Sequence, residues 1–591
     1  MADYNAPVKD MKLALNQIAR LTELSSMPVF EDASDDMVSA ILDEAARVAR
    51  DVVGPTNWEG DQTGLKLDES GVICPECFRD AYNQYAEGGW GSLQFDPEFG
   101  GQGMPYLLSV SVMEMWQSAN MAWGLCPLLS QGAVECLSIN ASDELKSIYL
   151  PKLISGEWAG TMNLTEGGAG SDLSQVRCKA EQDGDHYRIT GEKIFITWGD
   201  HSLTENIVHL VLARLPDAPP GVRGISLFLV PKYLVNADGS LGEYNNTKPL
   251  SIEHKLGIHA SPTCVMGFEN SVGYLVGELN RGLACMFTMM NNARLGVGLQ
   301  GVAISERAYQ QALNFANQRI QSPAVGHKEP GPIMRHGDVR RMLLTMKALT
   351  EAGRALTYDA CGSIDFSHHA EDPERREKEK ARAALLTPVV KGWCTEFAQE
   401  VTSLGVQIHG GMGYVEETGA AQHFRDARIL PIYEGTNGIQ ALDLVGRKTL
   451  MDKGEALASL LEEMRATVAA GGAFSALAAQ LEAAVVAVEQ ARDVLLSGSA
   501  EDPQLPGAIA YNFMMLLGTV AGAWELLRQA ESAAELQSQG EDDPYLAAKQ
   551  VTTRFYFAQI LPRYMGYLEM IKSGSATITE MSDAQYASAW Q

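Results

Sequence analysis

The hydrophobic period of the chain switches twice, and those switches limit what it can fold into more than any other feature. In residues 36–157, Val38, Ile41, Leu42, Ala45, Val48 and Ala49 recur at helical spacing, and Val110 to Trp116 and Ala133 to Ile139 repeat the pattern. Gly88 to Gly91 and Phe99 to Gly103 read as turns between these helices. Near residue 158 the pattern changes to short β-branched or apolar runs, Ile207 to Ala213 and Ile225 to Val230. His186 to Lys193 reads as a strand followed by a turn, and Pro216–Gly224 and Asn236–Asn246 as loops. Helical period resumes near 281 and holds to 450. One face is marked by Met286, Met289, Met290, Leu295 and Leu299, another by Met342, Leu343, Met346 and Leu349. Beyond 450 the chain is Ala-rich and helical, with 508–535 and 543–573 as two further helices after a linker at Ser497–Pro506. The chain is thus read as an α+β protein in five parts. These are an N-terminal extension (1–35, helical spacing from Met11 to Leu24), a helical domain (36–157), a β domain (158–273), a helical bundle (274–450) and an additional helical domain (451–591).

Charge excludes one class of partner. The formal net charge is −28 over 591 residues, which argues against nucleic acid, since phosphate binding draws on clustered Lys and Arg. The charge run Glu371 to Arg382 reads as a solvated helix end. Nine scattered cysteines form no disulfide framework, so a reducing compartment is expected. Cys74-Pro75-Glu76-Cys77 has no second pair at metal-ligand spacing and reads as structural; no metal site is expected. The N-terminus lacks a basic region followed by an apolar one, and no apolar run approaches bilayer length, so a cytoplasmic location is expected.

The chemistry concentrates around Pro431-Ile432-Tyr433-Glu434-Gly435-Thr436-Asn437-Gly438, after the Gly-rich Gln407 to Tyr414 and before a helical run from Ile439 to Lys448. A fixed Glu with no adjacent cation in sequence is a seat for a general base, because burial raises its pKa. The same residues also read as a polar turn before a helix N-cap. The Gly167-Gly168-Ala169-Gly170-Ser171 stretch reads either as a flexible turn or as a place where a ligand approaches the backbone closely.

Tyr433-Glu434-Gly435-Thr436 resembles the catalytic signature of acyl-CoA dehydrogenases. Asn163 to Asp172 resembles the family's first flavin loop and Gly191 to Thr197 its second, in the family's order. The resemblance covers about 36 to 450 and implies the acyl-CoA dehydrogenase fold: N-terminal helical domain, middle β-barrel-like domain and helical bundle, here with an extra C-terminal helical domain as in the larger members. It implies FAD-dependent oxidation of an acyl-CoA between its α and β carbons. Glu434 would take the α proton and the β hydrogen would leave as hydride to the flavin. The Glu434 N–H and a ribityl hydroxyl would hold the thioester oxygen, and Gly435 would leave room for it. Some relatives place the base one residue before Arg294; here that residue is Ala293, which cannot serve. Arg294 matches an active-site arginine, counted with Ser171 and Gly435 as substrate-binding. Met162, Leu164, Thr165, Gly170, Ser171, Phe195 and Thr197 fall at flavin contacts, with Phe195 where many relatives have Trp. Met162 replaces a common Tyr or Phe, and Gly167 a common Pro. Arg319, Gln407, Gly410 and Gly411 match residues that hold FAD from a partner subunit, although Ile320-Gln321-Ser322-Pro323 departs from the usual context of that arginine. Thr436 and Gly438 match positions beside FAD. His409 is expected to be structural or near the adenine.

The resemblance further implies a dimer or tetramer and an electron-transfer flavoprotein as acceptor. Tyr4 to Met11, Met286 to Arg294 and Glu434 to Lys448 look like the large bacterial subgroup. That subgroup implies 3-(methylthio)propanoyl-CoA (3-methylmercaptopropionyl-CoA) as substrate and 3-(methylthio)acryloyl-CoA as product, in dimethylsulfoniopropionate demethylation. The alternatives are a medium- or long-chain fatty acyl-CoA substrate of β-oxidation, an acyl-CoA oxidase, or a nucleic-acid-binding member of the fold.

Overall fold

A computed structural model describes residues 4–236 and 238–590. Met1 to Asp3, the start of the N-terminal stretch read above, lie outside the described residues.

The principal helices are α1 (Val8–Leu13), α2 (Asp35–Val48), α3 (Glu76–Glu87), α4 (Tyr106–Ala119), α5 (Met121–Asn140), α6 (Asp143–Ser155), α7 (Gly282–Gln318), α8 (Gly337–His369), α9 (Pro373–His409), α10 (Asn437–Val445), α11 (Glu455–Ala470), α12 (Ser475–Gly498), α13 (Leu505–Ser538), α14 (Pro544–Gln559) and α15 (Arg563–Lys572). Between α6 and α7 lies a seven-stranded sheet: β1 (Trp158–Asn163), β2 (Lys179–Asp183), β3 (His186–Thr197), β4 (Asn206–Ala213), β5 (Ser226–Pro231), β6 (Thr247–Ile252) and β7 (Thr263–Val276). The order is β1-β4-β5-β7-β3-β2, with β6 on β7; β1 and β4 run parallel and the other pairs antiparallel. β7 pairs with β3 along Thr263 to Gly273 and with β5 along Tyr274 to Val276. Two register shifts let this one strand serve both halves of a curled sheet.

The helices share one continuous apolar core, drawn from the N-terminal segment, the bundle and the C-terminal helices. α9 packs on α7, α8, α10 and α13. Close approach of α9 and α13 depends on glycine: a Cβ on Gly392 would fall 2.1 Å from Met514 Sδ, and the Trp393 ring lies against Gly518 and Gly522.

Several local expectations need correction. Gly191 is no turn: β3 runs unbroken for twelve residues, and Gly191 instead gives room for Cys178, whose Cα would lie 2.9 Å from a Cβ there. The stretch 236–246 contains a strand, Leu241–Tyr244, paired with Tyr233–Val235. Met11 to Leu24 is not one helix; it passes from α1 through a wider turn at Ala14–Ile18 and breaks at Arg20, which has φ +63°. The 543–573 segment is two helices, parted before Arg563 where Pro562 brings no backbone N–H. The 371–382 run is only partly solvated, because Glu379 is buried against Arg20 at 2.5 Å and Arg382 is buried between Asp359 and Glu463. Among the described residues one helix, α13, is by length and composition apolar enough to cross a membrane, contrary to expectation; 72% of its apolar window is buried within the protein, where it serves as core.

Candidate active site

Glu434 sits on the turn between Leu430 and α10 with φ +55°, and Gly435 follows at φ +84°. Two consecutive left-handed residues turn the chain sharply; the non-glycine one is held against its steric preference by its neighbours. On one side the Tyr433 hydroxyl donates to Gln300 Oε1 of α7, and Gln300 Nε2 donates to Gln117 Oε1 of α4 at 3.1 Å. On the other side Gln440 Nε2 donates to the Glu434 carbonyl at 3.3 Å. Thr436 caps α10, its Oγ accepting the Ile439 N–H at 3.2 Å. A Cβ on Gly435 would lie 2.7 Å from Gln440 Nε2 and 3.9 Å from an Arg294 Nη, so the turn tolerates only glycine there and Arg294 stands over it.

Burial pushes the Glu434 carboxyl up to about 7, against the opposing pull of Arg294 and Lys391. Arg294 is buried, its guanidinium pushed down by burial although Asp443 and Glu434 face it. Its Nε and Gln440 Oε1 have no hydrogen-bond partner among the described residues. Two orphaned polar atoms beside a poised carboxylate suit a polar ligand. Ala293, the preceding residue, is buried.

The two loops expected at the flavin meet each other. The Ile194 N–H donates to the Thr165 carbonyl at 2.8 Å. Lys193, wholly buried, donates to the Leu164 carbonyl at 3.0 Å and to Glu166 at 2.7 Å. Glu166 also accepts the N–H groups of Arg177 and Cys178. Glu166 and Lys193 therefore fix the loop geometry, a role the sequence reading did not give them. β3 bulges against β7 at this point: Cys264 faces Ile196 and Met266 faces Lys193, leaving two residues opposite Val265. The bulge puts Phe195 at φ +58° with its ring 60% exposed. A large aromatic ring held outward by the backbone, beside half-buried Thr165 and Thr197, fits a planar heteroaromatic group such as isoalloxazine. Met162 and Leu164 are half-buried at the end of β1, and Gly170 and Ser171 are exposed. Gly167 and Gly168 have open space where a Cβ would stand. A neighbouring cleft of about 370 Å³ is lined by Glu166, Gly167, Gly168, Gln175, Arg177, Cys178, Gly191 and Glu192; Glu434 does not reach it.

Arg319, Gln407, Gly410 and Gly411 gather elsewhere. Arg319 ends α7, and the Phe315 ring one turn before it lies 4.5 Å from the His409 ring. Arg319, Gln407, Gly410 and Gly411 are all exposed. His409 is buried, with Nδ1 2.7 Å from the Gly405 carbonyl, which is a structural placement. Arg294 and Arg319 lie on the same helix about 38 Å apart at 1.5 Å per residue. One chain thus brings Glu434, Gly435, Thr436, Gly438 and Arg294 together and leaves the second group remote. Cys74 and Cys77 are free thiols, pushed by burial up to about 12 and about 11, so neither is a ready nucleophile.

A seven-stranded sheet between helical segments of the chain, with an outward aromatic ring on the sheet and a glutamate raised by burial on the bundle, is the arrangement expected of a flavin-dependent acyl-CoA dehydrogenase. The chain belongs to the acyl-CoA dehydrogenase family: the family's N-terminal domain matches residues 36–157, its middle domain 161–271 and its C-terminal domain 280–450, and an acetyl-CoA dehydrogenase C-terminal-like domain matches 460–582. It is an FAD-dependent oxidoreductase. It is 48% identical to 3-methylmercaptopropionyl-CoA dehydrogenase of Ruegeria pomeroyi, over 94% of this chain and 96% of that protein. A butyryl-CoA dehydrogenase of Syntrophomonas wolfei is 36% identical over 99% of each. The structure of an acyl-CoA dehydrogenase complexed with FAD from Bacillus anthracis has the same fold, with a TM-score of 0.73 at 21% identity over 94% of this chain and 91% of that one.

Proposed function

We propose that the protein oxidises 3-(methylthio)propanoyl-CoA to 3-(methylthio)acryloyl-CoA, with Glu434 as the base that removes the α proton. The observation that carries the chemistry is the Glu434 carboxyl, raised by burial to about 7, on a left-handed turn with Arg294 standing over it. A base is most useful when its proton affinity lies near working pH. Arg294 stabilises the ionised form of Glu434. The Glu434 backbone N–H faces the thioester oxygen and stabilises enolate-like charge as the proton leaves. Bound FAD would supply the hydride acceptor for the β hydrogen. Met162, Leu164, Thr165, Gly170, Ser171, Phe195, Thr197, Thr436 and Gly438 would hold it from one chain, and Arg319, Gln407, Gly410 and Gly411 would hold it from a partner chain. Ser171, Arg294 and Gly435 line the acyl-CoA path.

The substrate assignment rests on near full-length similarity to the Ruegeria pomeroyi enzyme, including the C-terminal helices. The five-part division at residues 35, 157, 273 and 450 belongs to the same reading. So do a dimer or tetramer in the cytoplasm and an electron-transfer flavoprotein as acceptor; nine free thiols suit a reducing compartment. The test is turnover with an artificial electron acceptor over 3-methylmercaptopropionyl-, butyryl-, octanoyl- and palmitoyl-CoA. Preference for the sulfur thioester is the expected result. Preference for palmitoyl-CoA would make this a fatty-acid β-oxidation enzyme, a reading kept open because a butyryl-CoA dehydrogenase also aligns along the whole chain.

A further inference from the structure

Lys391 lies in the middle of α9 and is wholly buried. Its Nζ donates to the Gly435 carbonyl at 2.7 Å and to Asn437 Oδ1 at 2.8 Å. Asn437, the first residue of α10, is gripped from the same face of α9: its Nδ2 donates to Thr395 Oγ1 at 2.9 Å and to Glu396 Oε1 at 2.8 Å. Glu396 is in turn hydrogen-bonded by Tyr511 of α13. The turn carrying Glu434 is thereby tied, through two carbonyl-type acceptors and one buried ammonium, to the long helix beneath it. On its far side that helix rests on the C-terminal domain at Gly392 and Trp393.

The charges around Lys391 come from each packed element. Glu434 faces it from the turn, Glu396 from its own helix and Arg294 from α7, while Tyr511 of α13 reaches it only through Glu396. Burial pushes the ammonium down to about 7, with Glu434 and Glu396 opposing that push and Arg294 adding to it. Lys391 and Arg294 are the two cations that favour the Glu434 carboxylate over its neutral form. Burying an ammonium is unfavourable unless its contacts serve it, and the two acceptors it has are the turn itself.

We propose that Lys391 is a positioning residue for the reaction: it fixes the left-handed Glu434–Gly435 unit through the Gly435 carbonyl and through Asn437 at the head of α10. The proposal deepens the reading of Glu434 as base and rests on it. Lys391 acts through Gly435 and Asn437, so its removal has a signature that a purely structural role would not give: loss of the tether slows proton abstraction while folding, bound FAD and acyl-CoA affinity are kept, and a side chain that can still donate to the turn restores part of the rate.

The experiment is anaerobic single-turnover bleaching of the flavin by 3-methylmercaptopropionyl-CoA or butyryl-CoA from about pH 6 to about pH 9. It uses the FAD-loaded wild type, Lys391→Met and Lys391→Gln. Bound FAD and melting temperature are measured on each. The glutamine variant keeps an N–H donor for the turn, so it carries the test should the methionine variant not fold. The expected result is a single-turnover rate at saturating acyl-CoA down at least about tenfold in Lys391→Met with acyl-CoA affinity unchanged, and a smaller loss in Lys391→Gln, which still donates to the turn. A wild-type rate in folded, FAD-containing Lys391→Met, or an equal loss of rate in both folded, FAD-containing variants, overturns the proposal. A wild type that no acyl-CoA bleaches would instead defeat the reading of Glu434 as base.

Discussion

Asp10 of α1 accepts hydrogen bonds from both Arg354 of α8 and Lys549 of α14, with all three side chains buried. Arg354 also donates to Glu114 of α4 at 2.8 Å and to Glu306 of α7 at 2.7 Å. One ionic network thus pins the N-terminal segment, the bundle and the C-terminal helices together. Removing one member of a buried network leaves its partners' charge uncompensated, which costs about 3–5 kcal/mol. Asp10→Ala is therefore expected to lower the urea midpoint by that equivalent. Burial pushes the Asp10 carboxyl up, but Lys549 and then Arg354 outweigh it and hold the group well below the ordinary carboxylate range. A depressed folded value means the stabilisation is fully present above the unfolded value of about 3.9 and fades as pH falls below it. The gap between wild type and Asp10→Ala should narrow on acidification.

Gly435→Ala tests the turn. Its Cβ would meet Gln440 Nε2 at 2.7 Å in a backbone conformation with φ +84°. Gln440 must then release the Glu434 carbonyl, and the carboxylate shifts. FAD content should be retained while the rate of flavin bleaching falls at least about tenfold, the equivalent of about 1.4 kcal/mol of barrier.

Phe195→Ala separates folding from cofactor binding. The ring is 60% exposed, so its removal should change apoprotein stability by no more than about 0.5 kcal/mol. Its loss as a stacking partner should weaken FAD binding by roughly two- to tenfold, from an aromatic pair worth about 0.5–1.5 kcal/mol. Fluorescence titration of the apoprotein with FAD reads this directly.

The separation of Arg294 from Arg319 along α7 predicts a site shared between chains. Arg319→Ala and Glu434→Gln should each be inactive alone. Co-assembled, they should regain activity, because one of the two sites in a mixed pair then takes an intact Glu434 from one chain and an intact Arg319 from the other. No regain would assign the whole site to a single chain.

Much of this was legible in the sequence because periodicity marks layers well. The helical, β, helical, helical order follows from where the apolar period changes, and the Tyr433–Thr436 signature with its two loops pointed to where the chemistry is proposed to lie. What stayed hidden depends on contacts between distant segments. Lys391 had a visible signal, a lone lysine in the mostly apolar run from Leu385 to Cys394, but nothing local says that it reaches Gly435. Gly191 looked like a turn because its value lies in room for Cys178 from the neighbouring loop. Glu379 and Arg382 looked solvated because their partners Arg20 and Asp359 are remote in sequence. The long apolar stretch of α13 was underrated as a possible span, and only packing shows its use as core.

The most direct test of the central claim is anaerobic flavin bleaching by acyl-CoA in wild type and Glu434→Gln, each loaded with FAD. Glu434 is expected to act as a carboxylate, and burial raises its proton affinity to about 7, so the wild-type rate should climb as pH rises through about 7 and level off above it. The Glu434→Gln protein should bind FAD and acyl-CoA yet leave the flavin oxidised at every pH. Bleaching of the variant at the wild-type rate would contradict the account and move the base to another residue.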